Sequence, residues 1–325
     1  MTTSLDYLKQ TGTVVVSDSG EFESIDVYKP QDATTNPSLI LAAANKAGYA
    51  RLVDTAIEYA KEKGGNIEEQ TEHAFDRLLV EFGKEILAII PGRVSTEVDP
   101  SLSFDKEGTK AKAKQLITLY ESVGIKKERV LIKVAATWEG IQAARELEKN
   151  DSIHTNLTLL FGFVQAVACA EAGATLISPF VARIRDWHRV ATGKDLEGDE
   201  HPGVLTVKKV YNYYRQHGYK TIIMCASFRT FDEIKALAGI DFVTLAPSLL
   251  EQLKSSAKPI PKSLDASTAA QSAPLPKLSF IDNEAAFRWA LLQDACAFEK
   301  LHDGIKKFAE DGATLKGLLR KRLES

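Results

Sequence analysis

Strand-like and helix-like periodicity alternate along this chain almost from end to end, and no other property restricts its possible folds as strongly. Runs with the composition of strands occupy 13–18, 32–36, 88–98, 130–136, 154–161, 175–183, 221–229 and 242–247. Between them lie stretches with apolar residues at three- and four-residue spacing, at 51–63, 71–81, 106–123, 138–149, 163–172, 206–217 and 231–238. Strands separated by helices pair in parallel, because a crossover returns each strand in the same direction. Eight such units predict a closed (β/α)8 TIM barrel. An open doubly wound sheet is the alternative, but it would normally carry a glycine-rich nucleotide turn, and neither GxGxxG nor GxxxxGK[ST] occurs.

The remainder of the chain fits around such a barrel, so a single domain over 1–325 is expected. The Ser-, Ala-, Pro- and Lys-rich segment 255–279 reads as a surface connection, and 283–324 as continuous C-terminal helix packed on the barrel. With 41 Lys+Arg against 44 Asp+Glu the formal charge is -3, which gives no electrostatic case for nucleic acid or an anionic membrane. The longest apolar run, 157–170, contains Gln165 and falls short of the roughly 20 residues a spanning helix needs. Cys169, Cys225 and Cys296 are odd in number and far apart, as free thiols in a reducing compartment would be. The first residues show no basic stretch followed by an apolar one, so a cytoplasmic location is expected. The six histidines form neither HxxxH nor HExxH, and no metal site is expected.

Within this frame one residue stands out. Lys133 interrupts the apolar run Val130-Leu131-Ile132-Lys133-Val134-Ala135-Ala136. A lone strand lysine usually packs its stem and sends its charge to water. Here, however, other strands also carry polar groups near their C-terminal ends, where a barrel of this type builds its active site. Side chains alternate between faces, so Ser95 and Glu97, Asn156 and Thr158, Ser178 and Phe180, and Ser227 and Arg229 each share a face, with Asp18 and Asn36 at the ends of the first two strands. Singly, each has a bland explanation as a turn residue, a cap, a β-former or a solvated strand end. Together they place an amine, carboxylates, amides, hydroxyls and arginine at one mouth, which suggests Schiff-base chemistry.

The segments Asp32-Ala33-Thr34-Thr35-Asn36-Pro37-Ser38, Gly92-Arg93-Val94-Ser95-Thr96-Glu97-Val98-Asp99, Leu131-Ile132-Lys133, Asn156-Leu157-Thr158-Leu159-Leu160-Phe161, Ser178-Pro179-Phe180-Val181 and Ala226-Ser227-Phe228-Arg229 resemble those of the transaldolase family, in its long-chain subfamily. The resemblance covers almost the whole chain. It implies a (β/α)8 barrel that moves a dihydroxyacetone unit between sugar phosphates without a metal or organic cofactor, as a homodimer. By the same resemblance Lys133 is the Schiff-base lysine and Glu97 and Asp18 the acid and base. Asn36, Asn156, Thr158 and Ser178 position substrate and water, and Arg183, Ser227 and Arg229 hold the phosphate. Phe180 stands where related aldolases place a tyrosine. Three positions depart from the family pattern: Gly162 where serine is frequent, and Ala182 and Cys225 where glycine is usual.

The chemistry requires such groups whatever the family. Only a neutral amine attacks a ketone, and burial favours the neutral form. Loss of the carbinolamine hydroxyl as water requires an acid, and breaking the carbon-carbon bond requires a base, so two carboxylates can divide the work. A planar arginine fork with a serine hydroxyl suits a phosphate. Arg183 is followed two residues later by Arg185, and a surface helix charge is the bland alternative for either. An aldolase that releases dihydroxyacetone, and a catalytically silent relative that binds sugar phosphate or a protein, remain alternatives at this level.

Overall fold

The computed structural model describes residues 2–325, with the side chain of Ser24 excepted. Its strands β1 (Val14–Asp18), β2 (Asp32–Thr34), β3 (Val94–Glu97), β4 (Val130–Ala135), β5 (Thr155–Leu160), β6 (Leu176–Pro179), β7 (Ile222–Cys225) and β8 (Phe242–Leu245) close into a barrel in sequence order. All pairings are parallel, including the closing one, in which Val14 lies opposite Phe242 and Val16 opposite Thr244.

Alternation along the strands divides the apolar residues into two populations. A small cluster of Val16, Leu131, Leu176 and Met224 fills the barrel interior. A much larger one, including Val15, Ile132, Ile177 and Val243, lies between the strands and the helices. The interior cluster is the floor of the site. Two residues beyond Val16, Leu131 and Leu176 on the same faces stand Asp18, Lys133 and Ser178, so the barrel changes from apolar to polar within one strand repeat.

Several predicted boundaries require correction. Residues 88 and 89 are not strand: they end the helix Ile67–Ile89, whose periodicity continues through buried Ile86 and Leu87 until Ile90, held extended before Pro91. The strand predicted at 175–183 stops at Pro179, and Val181 begins the helix Val181–Thr192, so Arg183 stands on a helical first turn. The strand predicted at 221–229 stops at Cys225, because Ser227 has φ +59° and cannot continue a ladder. Asn36 lies outside β2 as the N-cap of the helix Pro37–Ala44. The connection 255–279 includes the short helix Ala266–Ala270 and buries Ile260, Leu264 and Ala269.

The helix predicted over 283–324 is two helices, Glu284–Gln293 and Ala295–Glu324, separated at Asp294, whose side chain caps the second by accepting the Ala297 N–H. The last helix lies across the barrel mouth. Its polar contacts reach elements spread along the chain: Lys316 Nζ meets Asp99 Oδ2 at 2.6 Å, Glu299 accepts the Trp187 indole N–H at 2.7 Å, and Asp311 accepts the Ser38 hydroxyl.

Candidate active site

Lys133 is 4% exposed, on the inward face of β4 two residues beyond Leu131. Its Nζ donates to the Thr35 carbonyl at 3.1 Å and lies 3.3 Å from Glu97 Oε2. Register produces this pair directly, since Glu97 of β3 stands opposite Lys133 of β4, and Lys133 opposite Asn156 of β5. Asn156 then ties the layer together: its Nδ2 donates to Ser95 Oγ at 3.0 Å and its Oδ1 accepts from Ser178 Oγ at 2.7 Å.

Burial pushes the Glu97 carboxyl above the usual glutamate range, against the opposing effect of Lys133, and the nearby charge of Asp18 adds to the rise. Asp18 is also raised, by burial first, with Lys133, the Thr34 hydroxyl and Arg183 pulling the other way. The Thr34 hydroxyl lies 2.7 Å from both Asp18 Oδ1 and Thr244 Oγ1. Both carboxyls are thereby biased toward holding a proton, as groups that exchange protons near neutrality must be.

Asp18, Asn36, Lys133, Ser178, Phe180, Arg183, Ser227 and Arg229 line one cavity of about 190 Å³ at the C-terminal ends of the strands. Glu97, Asn156 and Thr158 stand beneath it, buried on the inward strand faces, and do not reach its wall. Thr158 Oγ1 and Glu97 Oε2 are fully enclosed with no hydrogen-bond partner among the described residues. Thr158 directly precedes an irregularity: the β5–β6 register shifts between Leu157 and Leu160, and Leu159 has φ +53°. Gln165 secures this bulge. Its Nε2 donates to the Leu159 and Ala136 carbonyls at 3.0 Å each, and its Oε1 accepts the N–H groups of Phe161 and Gly162 at 2.9 and 3.1 Å. Asn36 combines two tasks, because its Oδ1 caps a helix through Leu39 N–H at 3.0 Å while the residue still lines the cavity.

At the mouth, the Arg183 guanidinium sits 5.0 Å from the Phe180 ring and 5.9 Å from the Phe308 ring. No hydrogen bond or ion pair among the described residues engages it, which leaves its donors available. Burial, then the like charge of Arg229, lowers its pKa from the ordinary arginine value. Two arginines lining one cavity favour an anion there, even with the Asp18, Asp186 and Glu97 carboxylates also acting on Arg183. Arg229 itself is exposed, 3.5 Å from Asp186 Oδ2. Of the two helix arginines, Arg183 lines the cavity, whereas Arg185 pairs outside it with Asp195 at 2.8 Å and with Glu197.

Sequence reasoning missed Thr34, Thr244 and Phe308 among the lining residues. Thr34 could have been found from its alternation with Asp32 and Asn36. Phe308 is contributed by the terminal helix, and no local pattern signals its presence. The three departures from the expected family pattern all lie outside the cavity. Ala182 sits in a helix, where a side chain costs nothing, and Cys225 is fully buried with its thiol pushed well up by burial. Gly162 has room for no Cβ: one built there would lie 2.6 Å from Ala297 Cβ.

A closed parallel (β/α)8 barrel whose strand ends converge on a buried lysine and two perturbed carboxyls is a barrel enzyme of the kind built for small polar substrates. The model of the family described as Transaldolase/Fructose-6-phosphate aldolase matches residues 15–319. The chain is 60% identical over 320 residues to the transaldolase of Saccharomyces cerevisiae, covering 98% of this chain and 95% of the relative. Similarity extends to the Schizosaccharomyces pombe transaldolase, 59% identical with 99% of each chain covered, and to that of Sus scrofa, 57% identical with 100% of this chain and 96% of the relative covered. The chain belongs to the transaldolase/fructose-6-phosphate aldolase family and is an enzyme of the transaldolase type.

Proposed function

We propose that this transaldolase carries a dihydroxyacetone unit from sedoheptulose 7-phosphate to glyceraldehyde 3-phosphate, giving erythrose 4-phosphate and fructose 6-phosphate, reversibly and through an imine at Lys133. The observation that carries the proposal is that Lys133 lines a cavity shared with Asp18 and two arginines while its Nζ lies 3.3 Å from Glu97, which stands beneath that cavity. The amine adds to the ketone carbon. Glu97, through a water shared with Thr158, protonates the carbinolamine hydroxyl, which leaves as water. Asp18 takes the proton of the hydroxyl on the neighbouring carbon, the carbon-carbon bond breaks into an aldehyde, and its electron pair passes into the iminium to form an enamine. Capture of the second aldehyde and hydrolysis reverse these steps. Arg183, Ser227 and Arg229 hold the phosphate, while Asn36, Asn156 and Ser178 orient the sugar. The same reading expects a cytoplasmic homodimer acting as one barrel domain, with no cofactor; sedimentation tests the oligomeric state.

Transfer is favoured over release by Phe180, whose ring carries no hydroxyl with which to help water protonate the enamine. Borohydride with fructose 6-phosphate should fix the imine as a stable amine on Lys133, read by peptide mass mapping. Label on another lysine, or none on active protein, refutes the mechanism. Fructose 6-phosphate alone should turn over little until erythrose 4-phosphate is added. Equal cleavage without acceptor would replace the transferase assignment with an aldolase one.

A further inference from the structure

The turn that carries Ser227 and Arg229 is strained and held from two sides. Ser227 has φ +59°, a left-handed conformation that costs a residue with a Cβ about 1 kcal/mol or more. On one side, the Ala226 and Ser227 carbonyls accept the N–H groups of Val181 and Ala182 at 2.9 Å each. These donors open the helix that presents Arg183, so the two arms of the cavity mouth are joined through backbone. On the other side, Glu233 Oε2 accepts the backbone N–H of Arg229 at 2.6 Å and that of Thr230 at 3.2 Å.

Glu233 does not line the cavity and is 3% exposed. A carboxylate so enclosed needs a partner for its second oxygen. His201 supplies it: Nε2 lies 3.0 Å from Glu233 Oε1, while Nδ1 accepts the Val204 N–H at 3.2 Å as the cap of the helix Pro202–His217. With Nδ1 occupied as an acceptor, the ring proton lies on Nε2 and is donated to Glu233. Arg185, 4.0 Å from Glu233 Oε1, adds positive charge on the same side. Burial pushes the Glu233 carboxyl up, but the His201 bond and the two backbone amides outweigh it and hold the group below the usual glutamate range.

We infer that Glu233, oriented by His201, is a positioning residue for the anion-binding turn, and that it sets the preference for phosphorylated over unphosphorylated substrates by holding Ser227 and Arg229 in place. This rests on the proposed phosphate role of that turn. Glu233→Gln keeps size and one acceptor oxygen but places an amide N–H against the His201 N–H, and the imidazole cannot switch tautomer without giving up its cap. His201→Asn keeps an acceptor for the Val204 N–H, since asparagine is a favoured cap, but is too short to hold Glu233.

The test measures competitive inhibition by inorganic phosphate, together with KM and kcat for fructose 6-phosphate and for unphosphorylated fructose as donor, each with unphosphorylated glyceraldehyde as acceptor. For Glu233→Gln, phosphate inhibition should weaken and KM for fructose 6-phosphate rise by about fivefold, the worth of one hydrogen bond. kcat and the kinetics on fructose should stay near wild type. His201→Asn should shift the same two quantities in the same direction. Arg229→Ala is the reference: if it weakens phosphate inhibition and neither Glu233→Gln nor His201→Asn does, the positioning role is wrong while the phosphate site stands. If none of the three weakens it, both are wrong. Equal losses on phosphorylated and unphosphorylated donors would show general damage and overturn the positioning role.

Discussion

Asp18 and Glu97 share the barrel mouth with one lysine, and the direction of their shifts decides how the site responds to acid. A carboxyl with its pKa raised by folding binds a proton more readily in the native state. Its contribution to stability is therefore present in full below the unfolded value near 4, and lost as pH rises through the native value. At neutral pH the ionised Asp18 is a cost, so Asp18→Asn should melt at a higher temperature than wild type at pH 7, with the gap closing as the pH approaches 4. Thermal denaturation across that range reads the outcome, and a variant no more stable at pH 7 contradicts the shift. The same substitution also separates roles: Glu97→Gln should slow borohydride trapping of the imine, whereas Asp18→Asn should trap normally yet fail to cleave. Equal loss of trapping in both would refute that division. At this scale much was legible in the sequence, because a charge in an apolar strand or a polar pair at period two leaves a local mark, as Lys133 and Asn156/Thr158 did. Thr244 left none, since a threonine in a strand is ordinary until its partner across the closed barrel is known.

Among the elements, the helix Ala295–Glu324 has the most influence on the site for its distance in sequence. It brings Phe308 to the cavity, clasps Asp99 two residues beyond Glu97, and begins against Gly162. Gly162→Ala should force the start of this helix outward and destabilise the protein by about 1–3 kcal/mol, the usual cost of overpacking. Pairing it with Ala297→Gly should return part of the loss in a double-mutant cycle measured by denaturant unfolding. Additive losses would show that the contact with Ala297 is not the cause. The elements themselves were largely legible from hydropathy period, and the misjudged ends have local causes: Pro91 stopping a helix, Pro179 ending a strand, αL Ser227 ending another. That Asp294 interrupts the terminal helical pattern was overlooked although aspartate favours caps over helix interiors, because the apolar spacing runs on across it from Leu291 to Ala295 and Phe298.

For the whole molecule, alternation alone predicted the closed sheet, yet nothing in any window of sequence marks β1 and β8 as neighbours. Nor does any window reveal that the last helix returns to the first third of the chain, where Arg320 Nη1 meets Glu68 Oε1 at 2.9 Å. Those contacts are chosen by closure and by the surface left uncovered once the barrel exists. The pairing of Val14 with Phe242 also has a consequence in time. During synthesis, β1 leaves the ribosome with one edge that no strand can satisfy until most of the chain has been made, and Asp18 lacks the Thr34–Thr244 hydroxyl pair for the same interval. Chains stalled before residue 242 should therefore remain open to brief proteolysis and lack imine trapping, whereas released full-length chains acquire both protection and trapping together. Protection appearing in stalled chains would mean that an open seven-stranded sheet is already stable. Otherwise the nascent protein depends on whatever shields its unpaired first strand until the eighth arrives.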